Sequence, residues 1–230
     1  MVWLVSKEES MESAVMNLFA TPLCRSQLGR AFSEAELEFM QSELDDPIRA
    51  IANHSSKNKN VLASEAMSGI RAVLQACLDD YFSKVYNSSN DVSLQITQSW
   101  LALSRRGESH HSHAHPNSVV SGILYINLAE NDGINFYRNE DMIWYELLRS
   151  ADTYYNAYKY FIKTAIGDIL LFPSNVRHSV QEVEEDISRT SLSFNTLFSW
   201  ELGRDEFSNA LKISIDNGQM PQEAVFSQIG

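Results

Sequence analysis

Hydrophobic positions divide the chain into a first part with helical spacing and a later part with the alternation of strands. Over SEAELEFMQSELDD, Ser33 stands where a helix cap belongs and Glu36 follows three residues on, the signature of a capping box. From Ser64, the run SEAMSGIRAVLQACLDDYFSKVY places Met67, Ile70, Val73, Leu74, Cys77, Leu78 and Phe82 at helical intervals. This predicts the longest helix of the chain, with Ser64 as its cap. NHSSKNKNVLA, between the two helices, reads as a polar loop. Ahead of them, AVMNLFATPLCRSQL alternates and predicts a strand or two.

Beyond Asn90 the period shortens to two. VSLQITQSWLALSRRG, SVVSGILYINLA, GINFYR, YFIKTAI, GDILLFPS, HSVQEV and RTSLSFNTLFSW are short β-type runs. Turn signals at Asn131–Gly133 and Ile166–Asp168 separate them. Helices set apart from a strand-rich half predict an α+β, mainly β fold, with helices on one outer face of a sandwich or barrel. The aromatic stretch NEDMIWYELLRSADTYYNAYKY interrupts the strands and reads as an insertion or lid. Its Tyr145, Tyr154, Tyr155 and Tyr158 fit either a channel lining or a helix face packed on the barrel. After Glu201, DEFSNALKIS predicts a short helix and a loosely held end.

Composition narrows the function classes. At 230 residues with 44% apolar content, the chain supports a full core in one domain of the larger sort. No apolar stretch approaches membrane-spanning length, so no membrane partner is expected. MVWLVSKEESMES has neither a basic start nor a long apolar segment, so no signal peptide is expected. Cys24 and Cys77 have no framework spacing, which fits free thiols in a reducing cytoplasm. A formal charge of −12 argues against non-specific nucleic-acid binding.

The chemistry gathers at the histidines. Four of the six, His110, His111, His113 and His115, stand in GESHHSHAHPNS, and His178 stands in GDILLFPSNVRHSV. Only His54 lies elsewhere. Neutral imidazole is the commonest protein ligand for a transition metal. A His-x-His pair on a strand turns both rings to one face, and a His on a neighbouring strand can add a third ligand. Three ligands leave open positions on an octahedral ion for O₂ or a chelating co-substrate. These histidines therefore read as a metal site; which of the clustered four bind stays open at this point, with His110 and His111 reading as rim residues or as groups meeting substrate or ligand.

Two spacings sharpen this reading. Gly107 precedes His113-Ala-His115 by five intervening residues. Gly167 precedes Pro173 by five, and His178 lies five beyond the proline. Both resemble the paired motifs of the cupin superfamily, which implies His113, His115 and His178 as the metal ligands. Where that pattern has a second glycine, this chain has Asn175, another residue that tolerates positive φ. The carboxylate that cupins place after His-x-His is missing, with Ser118 to Val120 in its stretch.

Arg189 lies eleven residues after His178, in SRTSLSFN. The runs HPNSVVSGILYINL, GINFY, FPSNVRHSV and RTSLSFN, together with the earlier LFATPL, resemble the 2-oxoglutarate/Fe(II) oxygenase family found in marine bacteria and phages. The resemblance spans roughly residues 15–200. It implies a double-stranded β-helix (jelly-roll, cupin-like) core over about 92–200, helical support over about 30–88 and an insertion over about 138–160, in a single domain. It implies Fe(II) and 2-oxoglutarate as cofactors, O₂ as co-substrate and a small-molecule or peptide substrate. Arg189 and Ser191 are then the partners of the far carboxylate of 2-oxoglutarate, a site suited to the guanidinium fork. Tyr125 either reaches that carboxylate or is a core aromatic. Asn127 and Asn195 are candidates for contact with substrate or ligands.

Alternatively, Arg189 makes a surface ion pair with the acidic run EVEED. Two rival functions also stay open: a three-His cupin-type dioxygenase without 2-oxoglutarate, and a non-catalytic jelly-roll module that binds metal. The oligomeric state stays open too, a homodimer included.

Overall fold

The computed structural model describes residues 14–89, 91–138, 148 and 150–215. Its elements run β1 (Cys24–Gln27), α1 (Glu34–Leu44), β2 (Ile48–Arg49), β3 (His54–Ser55), α2 (Ser68–Val85), β4 (Val92–Ser104), β5 (His110–His113) and β6 (Val120–Asn127). They continue with β7 (Gly133–Tyr137), β8 (Lys159–Lys163), β9 (Asp168–Pro173), β10 (His178–Val180), β11 (Arg189–Leu202) and β12 (Leu211–Ile213). An 8-stranded sheet has the order β1-β9-β6-β11-β4-β3-β2, with β12 beside β11. A 4-stranded sheet, β5-β10-β7-β8, faces it. All the pairings between these strands are antiparallel. The non-sequential order is that of a double-stranded β-helix, as the resemblance implies.

Both faces of the large sheet are buried, for different reasons. Its outer face carries Leu101, Leu103, Leu124, Ile169, Leu171, Leu192 and Phe194 against Met67, Ile70, Leu74 and Leu78 of the helical layer. Ile70, Leu74 and Leu78 recur every four residues along α2 and are each 0% exposed. Burial at that level contributes about 1.5–3 kcal/mol per side chain. The inner face joins Ile123, Tyr125, Leu170 and Phe172 to Ile134 and Phe136 of the small sheet, a second core cluster lying between the sheets.

Two bulges decide which side chains face inward. On β4, Asn195 pairs with Gln98 and Thr196 with Ile96, leaving Thr97 unmatched. The extra residue reverses the alternation. Leu94 and Ile96 therefore face the helices before it, as do Leu101 and Leu103 after it. On β6, Ser191 pairs with Tyr125 and Thr190 with Asn127, leaving Ile126 unmatched.

The local predictions meet mixed fortunes. Ser33 caps α1 in a full capping box with Glu36. Ser64 does not cap α2; a short 3₁₀ turn, Glu65–Met67, intervenes, and Met67 holds the cap position without a side-chain hydrogen bond. The predicted polar loop contains β3, paired with β4, and buries Val61 and Leu62 beneath the sheet. The lead-in yields β1 alone. After Glu201, a 3₁₀ turn (Asp205–Phe207) and β12 replace the predicted helix, because Leu211–Ile213 finds an open edge on β11. Asn175 is not among the positive-φ residues; in this region the left-handed position is Asn117, at φ 57. Most of the predicted lid, 139–147 and 149, including Tyr145, lies outside the described residues. Among the described residues, no helix is long and apolar enough to cross a membrane.

Candidate metal and cofactor site

The antiparallel pairing of β5 with β10 sets His113 directly opposite His178. His115 lies past the end of β5, so pairing within the small sheet does not hold it. Its amide instead donates to the Ser174 carbonyl (2.9 Å). The three imidazoles converge: one ligand nitrogen from each of His113, His115 and His178 lies within 4.8 Å of the others.

Each ring is held by its other nitrogen. His113 Nδ1 donates to the His111 carbonyl (2.7 Å) and His178 Nδ1 to the Val176 carbonyl (3.1 Å). His115 Nδ1 donates to Asn195 Oδ1 (2.7 Å). These bonds fix the tautomer and leave each Nε2 as a lone-pair donor, the arrangement that orients imidazole on a metal. Nε2 of His113 and Nε2 of His115 then face each other at 3.2 Å. Two lone pairs at that distance repel unless a cation lies between them. Metal–nitrogen bonds of about 2.0–2.1 Å meeting at octahedral to tetrahedral angles put the two nitrogens about 2.9–3.4 Å apart.

Burial keeps the rings neutral. It lowers the pKa of His113 and His115 and takes His178 down to about 3, with neighbouring imidazoles adding to the effect. Phe172 packs edge-on to His178, with ring centroids 4.8 Å apart, and Trp100 stacks on His115 at 5.7 Å. Asn195 is tied down in turn. Its Nδ2 donates to Gln98 Oε1 (3.2 Å), and the Ser121 hydroxyl donates to its Oδ1 (3.3 Å). Gln98 and Trp100 reach this face only because of the bulge at Thr97.

Farther along the same interior face stands Arg189, 1% exposed. It does not reach out to EVEED. Its Nε donates to Asp132 Oδ2 (2.6 Å), and its guanidinium carbon lies 5.8 Å from the centre of the Tyr125 ring. Among the described residues, Ser104 Oγ, Asn135 Oδ1 and Arg189 Nη1 are buried without a hydrogen-bond partner, while Tyr125 Oη and Thr164 Oγ1, which have no other partner, lie within reach of each other. All but Asn135 belong to the surroundings of Arg189. Ser104 pairs with it across β4 and β11, Tyr125 lies beside it, and the Thr164 amide bonds the Asp132 carbonyl (3.1 Å). Native interiors leave few such atoms unpaired. Between Arg189 and the imidazoles, β4 and β11 turn small buried residues inward, Ala102, Ser191 and Ser193, with Trp100 at the imidazole end. A small ligand with an anionic end matches this set. Burial raises the Tyr125 phenol well above its ordinary range, so it stays a neutral donor.

The other predicted residues are placed as follows. His110 accepts from Asn53 Nδ2 (2.6 Å) and has its pKa taken down to about 3 by burial and then by Arg189. His111 is exposed, its ring 5.0 Å from that of His113. Asn127 is not brought to the site. Plain alternation from Tyr125 would turn it inward, but the bulge at Ile126 reverses it, and its Nδ2 donates to the Ser188 carbonyl (2.8 Å) on the helical side. Tyr154, Tyr155 and Tyr158 are exposed; Tyr158 packs on Tyr137, and the Tyr155 hydroxyl donates to the Val15 carbonyl (3.2 Å). Sequence reasoning misses Asp132, Gln98 and Trp100. Asp132 reads only as part of a turn, and the other two depend on a bulge that no residue type announces.

Residues 98–195 match the profile of the family described as "Putative 2OG-Fe(II) oxygenase". No curated protein matches the chain. Among solved structures, the non-heme α-ketoglutarate-dependent epimerase SnoN from nogalamycin biosynthesis aligns with a TM-score of 0.54 at 13% identity, over 77% of this chain and 78% of its own. HygX from Streptomyces hygroscopicus, with nickel and 2-oxoglutarate bound, aligns at 0.51 and 14% identity, over 76% and 82%. At such identities the likeness is one of fold.

Proposed function

With residues 98–195 matching the profile of the 2OG-Fe(II) oxygenase family, we propose that the chain is an Fe(II)- and 2-oxoglutarate-dependent dioxygenase that oxidises an organic substrate. The observation that carries this reading is one interior between the two sheets, with three imidazole nitrogens at one end and a buried arginine beside unpaired polar atoms at the other. HygX, of like fold, holds nickel and 2-oxoglutarate.

In this reading His113, His115 and His178 hold the metal by Nε2, and the cofactor pair supplies oxidising power from O₂ as 2-oxoglutarate goes to succinate and CO₂. The chain's part is placement. Arg189 Nη1 and the Tyr125 hydroxyl receive the far carboxylate in a buried setting, with Ser191 beside them. Hydrogen bonds to a charged group contribute about 1.5–3 kcal/mol each. The small side chains of Ala102, Ser191 and Ser193 leave room for the cofactor's carbon chain. Asn195 keeps His115 in its ligating tautomer. Phe136, Phe172 and Trp100 wall the site with rings, so that reactive species form away from bulk water.

The test is an anaerobic titration of Fe(II)-loaded protein with 2-oxoglutarate, following the visible charge-transfer band of the chelate. The band is expected in the wild type, absent in His178→Ala, and in Arg189→Ala to need about 10–100 times more 2-oxoglutarate, the equivalent of one charged hydrogen bond. Iron-loaded wild type without the band would overturn the reading. That result would favour the alternative to which the all-imidazole ligand set also points, a dioxygenase acting directly on a chelating substrate.

A further inference from the structure

We propose that Asp132 is a positioning residue for the cofactor's carboxylate subsite: it aims Arg189 by holding its Nε, so that the outer edge of the guanidinium faces the ligand. The inference rests on the cofactor reading above and adds to it a residue in no predicted motif.

The geometry carries it. Asp132 is fixed on every side before it meets Arg189. Its Oδ1 accepts the Gly133 amide (2.6 Å), and its carbonyl accepts the Thr164 amide (3.1 Å). Gly133 itself lies so close to β8 that a Cβ there would strike the Ile162 carbonyl and the Phe161 ring. The turn therefore cannot drift. Its remaining carboxylate oxygen, Oδ2, takes Nε of Arg189 at 2.6 Å, with the two side chains only 5% and 2% exposed.

A guanidinium has five N–H donors in a rigid plane. Fixing Nε fixes the direction of the whole fork, and Nη1 is left buried with no partner. The same pairing compensates the buried guanidinium charge, and an uncompensated buried charge is strongly destabilising. Asparagine cannot replace Asp132 in this role. Its amide offers one oxygen for two donors, the Gly133 amide and Arg189 Nε, so one donor would face an NH₂ group.

The experiment separates aiming from mere support. Fe(II)-loaded protein is titrated anaerobically with 2-oxoglutarate and with 2-oxopentanoate, which keeps the chelating end but carries a methyl where the far carboxylate would be. The wild type is expected to prefer 2-oxoglutarate by about 10–100-fold, the equivalent of one charged hydrogen bond. Asp132→Asn is expected to cut that preference about tenfold, leaving 2-oxopentanoate binding and iron content unchanged. Asp132→Ser, whose hydroxyl can still accept the Gly133 amide and keep the turn, is expected to do the same. In an Arg189→Ala background, Asp132→Asn should change the preference no further.

An unchanged preference in both Asp132 variants would overturn the proposal and leave Asp132 a structural ion-pair partner. A raised preference would also overturn it, by showing that Asp132 competes with the cofactor for Arg189. Iron-loaded wild type that shows no preference, or no band at all, would instead sink the cofactor reading on which this one rests.

Discussion

His115 is the residue on which the chemistry of this site turns. With His113 and His178 it makes an all-neutral ligand set, so an Fe(II) held there keeps its full double charge, where a carboxylate ligand would remove one unit. Iron held by imidazole alone is expected to be lost faster. His115→Asp should therefore slow the transfer of Fe(II) to a competing chelator, and equal or faster transfer would refute the charge argument. The buried rings also make a pH prediction for the metal-free protein. His178 and His110 have folded pKa values of about 3, below the value of about 6.5 for an exposed histidine. Below that unfolded value the unfolded chain takes up protons that the fold refuses. Their contribution to stability is whole above about pH 6.5 and is lost as pH falls toward 3. Urea midpoints should accordingly drop between pH 7 and pH 4, and the drop should be shallower in His110→Gln. A slope equal to that of the wild type would show that His110 does not contribute.

Strands and helices differ in how far local sequence decides them. The capping box at Ser33 and Glu36 is a local device and appears where it is predicted. The start of α2 is not local. Met67, fully buried, is fixed by packing, and the chain enters the helix through a 3₁₀ turn at whose cap Ser64 makes no side-chain hydrogen bond. The two bulges are the larger lesson. Nothing in VSLQITQSWLALS marks Thr97, nor in VSGILYIN marks Ile126, as the residue without a partner. Yet the bulges send Gln98 and Trp100 toward the imidazoles and Asn127 away from them. Pairing between β6 and β11 also depends on Gly122, where an added Cβ would enter the Phe194 ring. Gly122→Ala should cost about 1–3 kcal/mol by overpacking. Urea denaturation measures this, and an unchanged midpoint would mean that the ring can shift at no cost.

Across the whole molecule, the large sheet keeps two kinds of interior apart: an oily one toward the helices and a mixed one toward the small sheet. Stability and chemistry should therefore respond to different substitutions. Leu74→Ala removes a fully buried side chain from the helical layer and should cost about 2–5 kcal/mol, read as a lower urea midpoint. Fe(II) binding at low temperature should be unchanged. A loss of iron affinity in proportion to stability would show that the two faces are coupled. The sequence by itself determined a mainly β fold with a helical layer and the identity of the clustered histidines, since periodicity, turn residues and ligand chemistry are written residue by residue; the β-helix class came from the resemblance its motifs carry. Arg189 was singled out by the resemblance, through its spacing from His178. Only the tertiary structure decided that Arg189 is buried against Asp132, that Asn195 holds His115, and that Asn127 faces the wrong side. Those outcomes depend on strand register and bulges, which are set by how distant strands pair and pack, and no single strand's sequence encodes its partner's offset.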